Sequence, residues 1–241
     1  MMIPQESLGY DRAITIFAPD GRLYQVEYAN EAVKRGTPAV GVKVRDGVIL
    51  AALKKASSKL EDVRYLHKIY RVDEHIGAAI SGLHADGRRL IDYARVVAQW
   101  HRLNYDDPIP IKMLTKYIGD LEQYYTQHAF ARPFGVALII AGVDTQPQLY
   151  STGASGSYWG WKATVIGSGS DVAQDYLEKH YKADLTLSDA IILALSALSK
   201  AAREALDPLY VDVAIVTTEK KVYEEIPKEK IKEYISKLPK E

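Results

Sequence analysis

The chain has 241 residues, enough for one large domain, and 47% of them are hydrophobic, enough to bury a substantial core. Its 31 lysines and arginines balance 31 aspartates and glutamates, so no net field draws it to nucleic acid or to an anionic membrane surface. Cysteine is absent, which excludes disulfide frameworks, thiolate zinc sites and a cysteine nucleophile.

No apolar run approaches the roughly 20 residues of a membrane span, and the first residues lack the basic flank and apolar stretch of a secretory signal, so a cytoplasmic protein is expected. Residues 1–9 are polar and aperiodic, with Pro4 and Gly9, and read as a mobile tail ahead of a single domain over 10–241. Pro19-Asp20-Gly21 is turn chemistry, with Asp20 placed to cap a helix over about 23–35, where Leu23, Val26, Asn30 and Val33 follow a helical spacing beside Ala29. Gly36 supplies a stop. Strands are expected at 39–44 and 48–53 around the turn signal Asp46-Gly47, and a second pair at 69–72 and 76–81. Helical periodicity returns over 87–103 through Leu90, Ala94 and Val97, and over 111–127 through Leu114, Ile118, Leu121 and Tyr125, with Pro108 and Pro110 between.

After Pro133 the order repeats, with strands at 136–141, 148–151 and 164–166, then helices at about 171–181 and 188–206. Thr186 with Asp189 resembles a capping box in which Asp stands for the usual Glu. Strand segments at 211–217 and 222–223 follow, and Pro227 opens a short charged helix with Ile231, Tyr234, Ile235 and Leu238 on one face. Strand pairs joined by tight turns and helices grouped in twos indicate an α+β fold with antiparallel sheets, which two facing sheets between helix layers would satisfy.

One segment is unusual for a surface. Tyr10-Asp11-Arg12, the apolar Ile14 and Ile16, Pro19-Asp20-Gly21-Arg22 and Gln25-Val26-Glu27-Tyr28-Ala29 run together into the first helix. Read from residue types alone they suit an N-terminal cap on the core. As one ungapped motif they resemble the signature of an archaeal-type proteasome α subunit. The likeness continues through Ser81-Gly82-Leu83, Tyr125-Thr126-Gln127, Arg132-Pro133-Phe134-Gly135 and Ile166-Gly167-Ser168-Gly169. It implies the four-layer αββα sandwich of the N-terminal-nucleophile hydrolases, two antiparallel sheets flanked by helices.

Active β-type relatives of that family use an N-terminal threonine whose own amine is the base, supported by a lysine and an acid. Gly36-Thr37 ahead of Ala39-Val40-Gly41-Val42 resembles such a start, and Lys68 matches the lysine. Leu53 stands at the acid's position, Pro38 follows Thr37, and cleavage at Gly36 would discard the signature helix, so no catalytic residue is expected. Two rivals to a ring subunit are a peptidase activated by cleavage before Thr37 and a self-assembling binding module that shares the fold. Ser168-Gly169-Ser170-Asp171 could cradle a phosphate, although a capped helix start explains it more simply. The 6 histidines form no i, i+4 metal pair, and His84-Ala85-Asp86 fits a loop leading into a helix, so neither metal nor cofactor is expected.

The resemblance further implies a heptameric ring of identical or related α subunits stacked on proteolytic β rings. Residues 1–9 would close the axial pore, and Tyr10, Asp11, Pro19 and Tyr28 would hold the open arrangement, with Arg12 in ion pairs and ring contacts around them. C-terminal tails of activator ATPases would dock at Lys68 with Leu23, Gly36, Gly82 and Leu83 nearby; the plain alternative is that Lys68 is a solvated lysine. Where many relatives carry Gly-Gly before Arg-Pro, this chain has His128-Ala129-Phe130-Ala131, in the loop expected near the constriction through which unfolded substrates pass. Phe130 either narrows that constriction or packs away from it.

Overall fold

Several strands are apolar at nearly every position, because both of their faces are covered. A computed structural model describes residues 15–129 and 131–239. β1 (Ala39–Val44), β2 (Gly47–Leu53) and β5 (Val136–Val143) are buried along almost their whole length. One antiparallel sheet has the order β10 (Tyr223–Glu225), β9 (Val211–Thr217), β2, β1, β8 (Ala163–Ile166). The other runs β3 (Ile69–Asp73), β4 (Ile76–Gly82), β5, β6 (Pro147–Thr152), β7 (Tyr158–Gly160). Alternation then sorts each strand: Val40, Val42 and Val44 of β1 face outward, whereas Ala39, with Leu50 of β2 and Ile139 and Leu149 of the second sheet, fills the space between the sheets.

The outer faces carry helices. α4 (Ser170–His180), α5 (Leu187–Ala202) and α6 (Lys228–Ser236) cover the first sheet through Ala173, Leu177, Leu193, Ala197 and Ile231. α2 (His84–Tyr105) and α3 (Ile111–Gln127) cover the second through Leu90, Ile91, Ala94, Leu114 and Ile118. The architecture is the expected αββα sandwich. α1 (Tyr24–Arg35) lies outside the four layers, packing against β4 and β5. Val26 and Ala29, with Leu23, rest on Ala154 of the β6–β7 loop, and Val33 reaches the inter-sheet core.

Several expectations shift. Asp20 does not cap α1: the N-cap is Leu23, and the Asp20 carboxylate instead accepts from the Arg22 amide at 3.2 Å inside the preceding turn. Asn30 and Ile16 are exposed, not part of an apolar stripe. The β1–β2 turn is Arg45-Asp46, with Gly47 already paired to Val44. α2 begins three residues early, at His84, and α5 stops at Ala202 because Arg203 takes a left-handed conformation (φ 57) and closes its amide on Ser199 O. Thr186 Oγ1 accepts from the Asp189 amide at 3.2 Å, but the shorter Asp side chain accepts from the Thr186 hydroxyl at 2.7 Å instead of reaching the cap amide. β7 has three residues and no apolar alternation, and it carried no signal. Among the described residues no helix is long and apolar enough to cross a membrane.

Candidate functional site

Four connections converge at one end of the sandwich: α1 to β1, β4 to α2, α3 to β5 and β8 to α4. They meet closely enough that side chains are excluded at several points, Gly36 and Gly82 among them. A Cβ on Gly36 would lie 2.3 Å from Gly82 N, and one on Gly82 would lie 2.2 Å from Gly135 O, where Gly82 also needs a positive φ of 120°. Backbone bonds tie the segments together, Ser168 N donating to Gly36 O at 2.8 Å and Leu83 N to Gly135 O at 2.8 Å. Thr37 sits in the middle.

Lys68 precedes β3 and points inward to Thr37. Its Nζ donates to Thr37 O at 2.5 Å and Thr37 Oγ1 at 2.6 Å, and Ser81 Oγ donates to the same carbonyl at 2.9 Å. Only 9% of Lys68 is exposed, so it is not the solvated lysine of the plain alternative. No carboxylate lies within ion-pairing distance of it among the described residues, and burial alone pulls its pKa down to about 7. The result is a buried amine, half protonated near neutrality, with two of its hydrogen-bonding directions spent on Thr37.

A hydroxyl and an amine are thereby held in contact at the start of β1. Thr37 N is a peptide nitrogen continuous with α1, so no amine is present as base. Leu53 is buried, and its amide donates to Pro38 O at 3.0 Å.

The rim of the site is built by the start of α2. Leu83 is 46% exposed at the N-cap, and His84 follows in the first helical turn, not in a loop. Tyr70 OH donates to His67 O at 2.7 Å and contacts His84 Nε2 at 3.2 Å, so His67, Tyr70 and His84 form a cluster beside Lys68. Asp86 turns the other way, accepting from Arg132 Nη1 (2.5 Å) and Nη2 (2.7 Å) and from Gly135 N (2.8 Å). Burial would raise the Asp86 pKa, but Arg132 and the Gly135 amide together hold it below the usual carboxylate value. The Arg132–Gly135 motif is thereby explained as a clamp between α3 and α2, with Phe134 packed on Tyr125 at 4.7 Å.

The structure brings Gly36, Lys68, Gly82 and Leu83 together. Leu23 is left at the far end of α1, about 18 Å away along a 12-residue helix. Pro19 and Tyr28 are exposed near that end, Tyr28 stacked on Tyr24 with ring centroids 6.4 Å apart. His128 caps α3, its ring 3.5 Å from that of Tyr124, and Ala129 follows it in the exposed connection. Tyr10, Asp11, Arg12, Ile14 and Phe130 lie outside the described residues. The phosphate cradle does not form, since the amides of Ser168 and Ser170 are already bonded to Gly36 O and Gly167 O. No group of three metal-ligating side chains occurs among the described residues. An open groove of about 420 Å³ separates Glu27, Asn30, Glu31 and Lys34 of α1 from Gly167 and Ser170.

Sequence reasoning missed His67, Tyr70 and His84 as a group, because their proximity depends on the pairing of β3 with β4 and no short-range spacing encodes it. Residues 33–216 match the proteasome subunit family, and residues 10–32 match the N-terminal signature of its A-type subunits. A proteasome alpha subunit of Archaeoglobus fulgidus is 49% identical over 98% of this chain and 96% of its own length. Proteins of the same description from Methanocaldococcus jannaschii and Saccharolobus islandicus are 50% and 48% identical, covering 98% and 96% of this chain and 90% and 98% of their own lengths.

Proposed function

The chain belongs to the proteasome α-subunit family, and from that premise we propose that it is a non-catalytic subunit of the α ring. Seven copies, of it or of close relatives, close each end of a cytoplasmic barrel whose β rings hydrolyse proteins. The observation that carries this reading is the state of Thr37. Its hydroxyl holds the lysine contact a nucleophile would use, yet it has neither a free amine nor an acid beside it. Exposing the amine would remove α1, whose terminal Gly36 is knitted to Ser168 and packed on Gly82.

The same geometry supports a docking role. A buried amine with no counter-ion among the described residues is a receptor for the terminal carboxylate of an activator ATPase tail, which can form a charge-assisted hydrogen bond to Lys68. Gly36, Gly82 and Leu83 border that position. Leu23 joins it only from a neighbouring copy, which is consistent with a site completed between adjacent subunits. Residues 1–9 act as the gate, Tyr10, Asp11, Arg12, Pro19 and Tyr28 bias it towards opening, and His128, Ala129 and Phe130 rim the constriction traversed by unfolded substrate. The chain works without a cofactor.

Co-expression with a β subunit, followed by imaging and a peptide-hydrolysis assay, tests the reading. Stacked seven-fold rings that hydrolyse peptide only when β subunits are present are expected. Failure to form stacked rings with any β partner would return the chain to the binding-module alternative.

A further inference from the structure

Tyr70 settles the tautomer of His84. A phenol has one proton, and Tyr70 donates it to His67 O at 2.7 Å; burial pushes the Tyr70 pKa up to about 12, so that proton stays in place. Towards His84, 3.2 Å away, Tyr70 OH can therefore only accept, and the hydrogen of the neutral imidazole resides on Nε2. Nδ1 is left as a bare acceptor with no hydrogen-bond partner among the described residues, on an exposed residue.

The surroundings of that atom are cationic. Lys68, Arg88 and His67 all act on His84, and after burial they are what lower its pKa from the ordinary histidine value. Arg95, Asp92 and Asp212 act on Tyr70 from further out, and Asp86, two residues along the helix, is committed to Arg132. The positive end of α2 adds to this field. A protonatable nitrogen and a buried amine stand together here, and no carboxylate pairs with either among the described residues.

Building on the docking reading above, we propose that His84 is a second positioning group for the incoming carboxylate, engaging it through Nδ1 while Lys68 engages it through Nζ, so that docking draws protons onto the site. The free site holds these groups partly neutral because burial disfavours the charged form of each and the nearby cations add to that at His84. An arriving carboxylate reverses both effects. At pH 8 a Lys68 with a pKa of about 7 is about nine-tenths neutral, so docking takes up close to one proton there. Towards pH 6 Lys68 is already charged, and His84 supplies the remaining uptake.

The probe is a ten-residue peptide with the C-terminal sequence of the organism's proteasome-activating ATPase, prepared as free carboxylate and as amide. It is titrated calorimetrically into assembled α rings at pH 6, 7 and 8.5, in buffers of different ionisation enthalpy. The carboxylate form is expected to bind with buffer-dependent heat, and its affinity to fall about tenfold per pH unit above pH 7.5. His84→Gln, whose amide can still donate to Tyr70, is expected to weaken binding about fivefold at pH 6 and to leave it within about twofold at pH 8.5, a pattern that a purely structural role would not produce. Proton uptake at pH 6 that His84→Gln leaves unchanged, or an equal loss of affinity at both pH values, overturns the role of His84 while leaving the docking reading intact. A carboxylate form that binds no better than the amide overturns the docking reading and this inference with it.

Discussion

Glu122 offers a stability experiment whose size follows from its surroundings. It lies on α3, fully buried, beneath the β6–β7 connection on which α1 rests; Oε1 accepts from Thr152 Oγ1 at 2.9 Å and Oε2 has no partner among the described residues. Burial pushes its pKa well above the ordinary value, with the Thr152 bond opposing that only in part, so the native site favours the neutral acid. In the unfolded chain the same group ionises near pH 4.3, and each pH unit above that costs the native state about 1.4 kcal/mol for the proton it must hold. That cost accumulates as pH rises, until the raised native pKa is reached. Glu122→Gln keeps the acceptor for Thr152 and has no proton to retain. The variant is expected to be more stable at pH 7, by up to about 1.4 kcal/mol for each pH unit through which the native acid stays protonated, with the gain shrinking as pH falls and vanishing near pH 4. Differential scanning calorimetry of α rings across pH 4–8 measures this. A gain independent of pH, or none at pH 7, would mean that Glu122 is ionised in the native protein and the reasoning is wrong.

Lys68 gives the opposite slope. Its pKa is lowered, so the unfolded chain binds the extra proton, and wild-type stability should rise relative to Lys68→Met by roughly 1.4 kcal/mol per pH unit between pH 7 and 10, read from chemical denaturation. Asp86→Ala strands the Gly135 amide and frees the largely exposed Arg132 to water, and should cost about 1–3 kcal/mol at pH 7. Because the Asp86 pKa is lowered, that difference should fade as pH drops below the usual carboxylate range, which a denaturation series down to pH 3 would follow. Deleting residues 1–9 should speed peptide hydrolysis by particles assembled with β subunits; an unchanged rate would show that this segment is not the barrier.

The sandwich was legible because both faces of β1, β2 and β5 are covered, which writes itself as unbroken apolar runs, and because Pro110 and strong periodicity bound α3 at the residues observed. α5 was overextended because its apolar pattern continues to Leu206, while its stop is a left-handed arginine that no residue type announces. At the site, the glycines at 36 and 82 were visible as letters, but their purpose is a close approach of segments 46 residues apart in the chain. Lys68 was singled out by resemblance; its burial and bonds to Thr37 depend on where β3 sits at the sheet edge. The cluster at His84 was invisible for the same reason: the sequence places His67 and Tyr70 together, but only tertiary pairing delivers the second histidine.

The central claim, that Thr37 remains inside an intact chain, is tested most directly by the intact mass of this subunit recovered from particles that are degrading substrate. The account predicts a single species that retains the segment ahead of residue 37, with all hydrolysis lost when the β subunits are inhibited. A species beginning at Thr37 that cleaves peptides without β subunits would contradict it.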